Sequence, residues 1–250
     1  ISQAVEGDQI WVKGSDTGVG LIYRPDEGPN VTPGDQSASF EMESDVQIRG
    51  GYSGNTQNPT ERDPDVYITI LSGDLGEDDM VSDNYDAGGF QGLTFSNYSD
   101  NSKHVVTAEG VGTSARLDGF TIRGGNAPNG GGGLLMGNTN GTVTTDPRIM
   151  NCRFIENRNR STTDGEAGGA IRIIDQTSSP SHEIRSCAFE RNQSPDTHGG
   201  AIGCDDSDAA IIDCYFKNNE ADPGGGAIAS LGTPTIDVFN CEFDDNVATG

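Results

Sequence analysis

Four segments of this chain share one frame: Ile149-Met150-Asn151-Cys152-Arg153-Phe154, Ile184-Arg185-Ser186-Cys187-Ala188-Phe189, Ile211-Ile212-Asp213-Cys214-Tyr215-Phe216 and Val238-Phe239-Asn240-Cys241-Glu242-Phe243. Each has an Asn three residues after its Phe: Asn157, Asn192, Asn219 and Asn246. Between frames stands a Gly-Gly-apolar element, Gly168-Gly169-Ala170-Ile171, Gly199-Gly200-Ala201-Ile202 and Gly225-Gly226-Ala227-Ile228, with Gly132-Gly133-Leu134-Leu135 read as an earlier copy. The cysteines are 35, 27 and 27 residues apart. A repeat of that length makes each unit one small structural module that stacks on the next.

Residue parity gives the module its shape. Cys and Phe, two apart, share one face of a strand, and Arg153, Ala188, Tyr215 or Glu242 points the other way. The β-branched residue three before each Cys has the wrong parity for the same flat strand, so the chain must turn between them. The residue before Cys is Asn, Ser, Asp and Asn in turn, types suited to turn or left-handed geometry. The Asn after Phe suggests a second bend, and the paired glycines allow a close backbone approach before a third strand. Short strands and bends in about 27 residues make one coil of a parallel β-helix, with rungs about 4.8 Å apart. Right-handed winding is expected from the preference of parallel connections. A β-propeller needs about 40 residues or more per blade, and a leucine-rich repeat needs a Leu scaffold that is missing here.

The fold class expected is therefore all-β, a right-handed parallel β-helix with long insertions in its N-terminal rungs. Only 32% of the 250 residues are hydrophobic and 36 are Gly, which suits a core one rung wide. Residues 1–250 read as one β-helix domain. Residues 1–125 form irregular early rungs, with polar loops at 14–39, 52–65 and 72–103, and residues 126–250 form regular rungs. The chain reads as a piece of a longer protein.

Charge narrows the partners. Fifteen basic and 39 acidic residues give a net charge of −24. Such a surface repels nucleic acid and anionic membranes, and no apolar run is long enough for membrane insertion.

The Gly-Gly-Ala-Ile and Phe-x-x-Asn pair resembles the repeat of the chlamydial polymorphic outer-membrane proteins. The wider order also resembles large secreted β-helix proteins of environmental bacteria, from Gly7-Asp8-Gln9-Ile10-Trp11-Val12 through Val46-Gln47-Ile48-Arg49-Gly50-Gly51-Tyr52 to Leu117-Asp118-Gly119-Phe120-Thr121-Ile122. The resemblance implies this fold and a secreted or cell-surface setting. No catalytic residues come with it.

Candidate chemistry is sparse. Four of the five cysteines fall in one ladder with parallel side-chain directions, so buried free thiols are expected, and Cys204 should pack singly. Zinc is disfavoured, because there is no C-x-x-C pair and His104, His182 and His198 are scattered. Turn or surface roles are expected for the histidines. Trp11 should point outward between Ile10 and Val12. The outward column Arg153, Ala188, Tyr215, Glu242 and the column Arg172, Gly203, Ala229, with Met136 as its early copy, hold no carboxylate cluster of the kind a polysaccharide lyase needs. No catalytic, cofactor or metal residues are assigned. Two acidic loops remain: Asp74-Leu75-Gly76-Glu77-Asp78-Asp79 with Asp83 and Asp86, and Asp205-Asp206-Ser207-Asp208. A structural Ca²⁺ in the first is the one cofactor the sequence leaves open.

The expected role is a non-enzymatic extracellular protein, structural or adhesive, whose partners are further copies of itself or surface glycans. A lyase or depolymerase acting on acidic glycans is the alternative, and a non-catalytic glycan-binding module is a third reading.

Overall fold

The computed structural model describes residues 4–137, 145–174 and 182–249. Its strands form four parallel ladders and one separate antiparallel pair. The first ladder stacks Gln9–Lys13, Gln47–Tyr52, Arg116–Asp118, Arg148–Met150, His182–Arg185, Ala209–Ile212 and Ile236–Phe239. The second stacks Leu21–Tyr23, Thr69–Ser72, Thr121–Arg123, Arg153–Ile155, Ala188–Glu190, Tyr215–Lys217 and Glu242–Asp244. A third, of two-residue strands, runs from Asn126–Ala127 to Val247–Ala248, and a fourth from Phe40–Glu41 to Ile228–Leu231. One turn of the chain visits the ladders in that order. This is a parallel β-helix.

Identical side chains fall on one another because the register is kept from rung to rung. Ile149 pairs with Ile184, Ile184 with Ile211 and Ile211 with Val238. Phe154, Phe189, Phe216 and Phe243 stack with ring centroids 5.1, 4.8 and 4.8 Å apart and planes within 6° of parallel. That spacing is the strand spacing itself, so each ring covers the faces of its neighbours. The first three rings are fully buried. The cysteines form the next ladder, and all five thiols are free. Cys204 lies apart, in register with Ile173 and Ser230 in the fourth ladder, and burial pushes its thiol up to about 12.

Two left-handed corners shape each coil. Asn151, Ser186, Asp213 and Asn240 have φ of 51°, 53°, 55° and 51°, the geometry expected just before each Cys. The second corner differs from expectation. Its left-handed residue is the one before each Asn: Glu156, Arg191, Asn218 and Asp245, with φ of 57°, 57°, 52° and 51°. The asparagines themselves point inward as a buried polar ladder. Asn192 Oδ1 accepts from the Asn157 backbone N–H at 3.0 Å and from Asn157 Nδ2 at 3.1 Å, while Asn192 Nδ2 donates to the Phe154 carbonyl at 2.9 Å. Each Asn thus satisfies the corner of the rung before it.

The glycine pair is required by close approach. A Cβ on Gly200 would sit 2.6 Å from both the nitrogen and the oxygen of Glu220, so nothing larger fits where the returning chain crosses the third ladder. The early copy is shifted by one residue from the expected alignment. Leu134 pairs with Ile171 and Leu135 with Arg172. Met136 therefore faces inward, fully buried beside Ile173, and Leu135 takes the outward position expected of Met136.

The stretch expected as a polar loop at 72–103 contains a hairpin, Met80–Asp86 paired antiparallel with Gly89–Ser96, and the stretch at 14–39 contains the strand Leu21–Tyr23. The hairpin lies along the rod across successive rungs. Glu220 Oε2 accepts from the Leu93 N–H at 2.6 Å, Gln193 Nε2 donates to the Leu93 carbonyl at 3.2 Å, and Asn218 Nδ2 donates to the Tyr85 hydroxyl at 2.9 Å. Arg191 donates to the Val81 carbonyl at 2.8 Å and pairs with Asp83 at 2.9 Å and Glu156 at 2.8 Å.

Candidate functional site

The two acidic runs of the sequence have different fates. In the second, Asp205 pairs with Arg172 at 3.0 Å, and Asp206 and Asp208 accept the backbone N–H groups of Thr233 and Thr235. Those carboxylates cap the turn of the next rung, a structural role.

The first run sits where the hairpin leaves the rod. Asp74 follows the strand Thr69–Ser72 and is buried. Its Oδ1 accepts the Asp78 N–H at 3.2 Å, which closes the loop into a tight turn. One carboxylate oxygen from each of Asp74, Asp78 and Asp79 lies within 4.8 Å of the others. The far foot of the hairpin brings Asp100 and Asn101 to the same place. Asp100 Oδ2 and Asp78 Oδ1 both crowd Gly76, where a Cβ would collide with the Asp100 carboxylate. Asn101 is 2% exposed, and its Nδ2 donates to Asp79 Oδ2 at 2.7 Å and to the Gly124 carbonyl at 2.6 Å. Asp79 Oδ1 and Asn101 Oδ1 are buried with no hydrogen-bond donor. Burial raises the Asp79 carboxyl to about 7, helped by repulsion from Asp74, Asp100 and Asp78 and opposed by the Asn101 bond. Arg24 stays at the edge, with Nε on the Asp74 carbonyl at 2.9 Å and its other nitrogens on Glu27 and Glu77.

A second surface runs over the outer side of the first ladder. Trp11 is 44% exposed and stacks on Tyr52 with centroids 4.9 Å apart. The Arg62 guanidinium covers the Tyr52 ring at 5.7 Å. Register sets Arg49 beside Trp11 and Asp118 beside Arg49, and Arg116 beside Arg148. Arg62, Arg49 and Arg116 approach the one buried carboxylate of Asp118 at 2.8, 3.5 and 3.9 Å, and Arg148 is exposed. Four of the chain's fifteen basic residues thus share a strip that carries excess positive charge on an otherwise acidic protein.

A family model described as the Chlamydia polymorphic membrane protein (Chlamydia_PMP) repeat matches residues 213–231. This chain is a β-helix repeat protein resembling that family. The match covers the larger part of one coil, from the left-handed corner at Asp213 through Cys214, Phe216 and Asn219 to the end of the fourth-ladder strand Ile228–Leu231, and leaves out the first-ladder strand Ala209–Ile212. The motif that recurs in the sequence is thus the one that builds the rung. The polymorphic membrane protein repeat suggests a surface-associated family. No curated protein and no solved structure matches the chain.

The histidines are spread over the coils. His104 donates to the Gly131 carbonyl through Nδ1 at 2.9 Å, and burial lowers its pKa. His182 lies against Asp146 at 3.4 Å and is 1% exposed, which corrects the expectation of a surface or turn residue. His198 reaches Asp164 at 3.5 Å. Sequence reasoning found Asp74, Asp78 and Asp79 as an acidic run. It missed Asp100 and Asn101, whose part in the cluster depends on the hairpin returning to its own foot. It also missed the arginines around Asp118, since Arg49 and Arg62 belong to the coil before the one that carries Arg116 and Asp118.

Proposed function

We propose that this chain is a non-enzymatic extracellular rod, a structural and adhesive element of a surface protein. The observation that carries this reading is the use of the recurring side chains. Ile, Cys, Phe and Asn are consumed by the ladders, and the matched repeat spans the Cys, Phe and Asn positions of one of those same coils. Function then belongs to the outward positions. The columns Arg153, Ala188, Tyr215, Glu242 and Leu135, Arg172, Gly203, Ala229 present no set of converging carboxylates.

The outer strip of the first ladder favours a glycan as the adhesive partner. An exposed indole offers a flat apolar face to a sugar ring, and guanidinium groups bind carboxylates by paired hydrogen bonds. Trp11 beside Arg49, with Arg116 and Arg148 on neighbouring rungs, fits a polysaccharide bearing uronic acids. Binding of the protein to polyuronate and to a neutral glucan, measured together with product release, tests both parts. The reading predicts saturable binding to polyuronate, weakened by Trp11→Ala and by Arg148→Glu, with the polymer left intact. Release of unsaturated or shortened products would make the protein a lyase or depolymerase instead.

A further inference from the structure

The acidic cluster at the hairpin's feet carries an inference that is independent of the adhesive reading. We propose that Asp74, Asp78 and Asp79, with Asn101 packed against them, form a binding site for a hard divalent cation, Ca²⁺, which ties the foot of the Met80–Ser96 hairpin to the rod.

Three observations converge. Oxygens bound to one Ca²⁺ at about 2.3–2.6 Å lie at most about 5 Å apart, and the oxygens of Asp74, Asp78 and Asp79 meet that limit at 4.8 Å. Asn101 is 2% exposed, with its Nδ2 donating to Asp79 Oδ2 and its Oδ1 without a donor; Asp79 Oδ1 is likewise buried and without one. Buried oxygens in that state have lost their hydration with nothing in exchange. Among the described residues, no Lys or Arg lies within ion-pair distance of the side chains of Asp74, Asp78, Asp79 or Asp100, and the nearby Arg24 is held by Glu27 and Glu77.

The donor set selects the ion class. All donors are oxygens, which excludes the nitrogen and sulfur preference of zinc. Three carboxylates within 4.8 Å of one another, one of them held by the Asn101 amide, make an irregular oxygen set, as Ca²⁺ accepts and Mg²⁺, which needs near-ideal octahedral geometry, does not. The cluster's position gives the ion a task. Asp74 belongs to the rung, Asp78 and Asp79 lead into the first hairpin strand, and Asp100 and Asn101 follow the second. A shared ion would hold the hairpin against the third-ladder residues it clasps.

The test uses the intact chain, stripped with EDTA and desalted. Calorimetric titration with CaCl₂ should give one site with a dissociation constant below about 1 mM, the range of extracellular Ca²⁺ modules or tighter. Ca²⁺ should raise the melting temperature and slow amide exchange in residues 80–96. Asp78→Asn, at an exposed position, and Asp79→Asn should each weaken binding at least tenfold and remove the thermal shift. Asp208→Asn, in the other acidic loop, should change neither. Absence of saturable binding would overturn the proposal, as would binding that survives both Asp78→Asn and Asp79→Asn. An equal response to MgCl₂, or to NaCl of the same ionic strength, would reduce the effect to general charge screening and overturn it too.

Discussion

Asn219 Oδ1 accepts two hydrogen bonds from Asn192, one from its backbone N–H at 3.0 Å and one from its side-chain Nδ2 at 2.9 Å. The same pair of bonds recurs between Asn157 and Asn192 and between Asn219 and Asn246. A left-handed corner leaves backbone groups that neighbouring strands do not reach, and this ladder satisfies them inside the core. Buried polar groups that complete one another in this way fix the register of the stack as well as its stability.

Replacing Asn192 by Ala should therefore be severe for a small side chain. It strands the Asn157 N–H, leaves the Asn157 carboxamide with only the Ile122 carbonyl and the Gly125 N–H, and takes a donor from both the Phe154 carbonyl and Asn219 Oδ1. Leaving buried groups unpaired sets the loss at about 3 kcal/mol or more. Denaturant unfolding checks it, and a loss under about 1 kcal/mol would mean that the corner finds other partners.

Phe216 and Tyr215 are adjacent and point opposite ways. Phe216 is fully buried between Phe189 and Phe243, whereas the Tyr215 hydroxyl lies outside against Asp244 at 3.2 Å. Phe216→Ala should cost about 3–5 kcal/mol, and Tyr215→Ala should cost well under half of that. Equal losses in paired unfolding experiments would overturn the parity of the strand.

Arg191 joins the hairpin to the rod through the Val81 carbonyl and Asp83. Arg191→Ala should weaken that clasp by about 1–2 kcal/mol, the worth of hydrogen bonds to a charged group that is partly exposed. Hydrogen exchange should show faster opening confined to residues 80–96. Faster exchange throughout the ladders would show instead that Arg191 supports the corner more than the hairpin.

His104 gives a signed pH dependence. Burial holds its folded pKa below the ordinary value of 6.5, so below pH 6.5 the unfolded chain binds the proton more readily than the folded one. Its contribution is fully present above pH 6.5 and is lost as pH falls through that value toward the folded pKa. His104→Gln should flatten the loss of stability between pH 7.5 and pH 5.5. An unchanged slope would assign that loss to carboxylates alone.

The sequence disclosed most where one feature recurs. The Cys-x-Phe frame, the turn-forming residues before each Cys and the glycine pairs could be read because equivalent positions repeat the same demand. The second corner was hidden, since Glu156 and Arg191 are not residue types that favour left-handed geometry and the conspicuous Asn beside them drew the bend to itself. The hairpin was hidden because Met80–Ser96 occurs once, and its partners, Arg191, Gln193, Asn218 and Glu220, lie about a hundred residues or more away in the chain. The acidic cluster was half visible. Asp74, Asp78 and Asp79 are neighbours in sequence, whereas Asp100 and Asn101 join them only after the hairpin has closed.

Equal steps along the stack are the most direct consequence of the parallel winding. Thr121, Arg153, Ala188, Tyr215 and Glu242 occupy one register of the second ladder although 32, 35, 27 and 27 residues separate them. Nitroxide labels carried on unnatural amino acids, one at Thr121 and the other at each later position in turn, allow the distances to be measured by electron paramagnetic resonance. Each rung should add about 4.8 Å, reaching about 19 Å at Glu242. Distances that fail to grow in even steps, or that do not grow from Tyr215 to Glu242, would contradict the stacked coil.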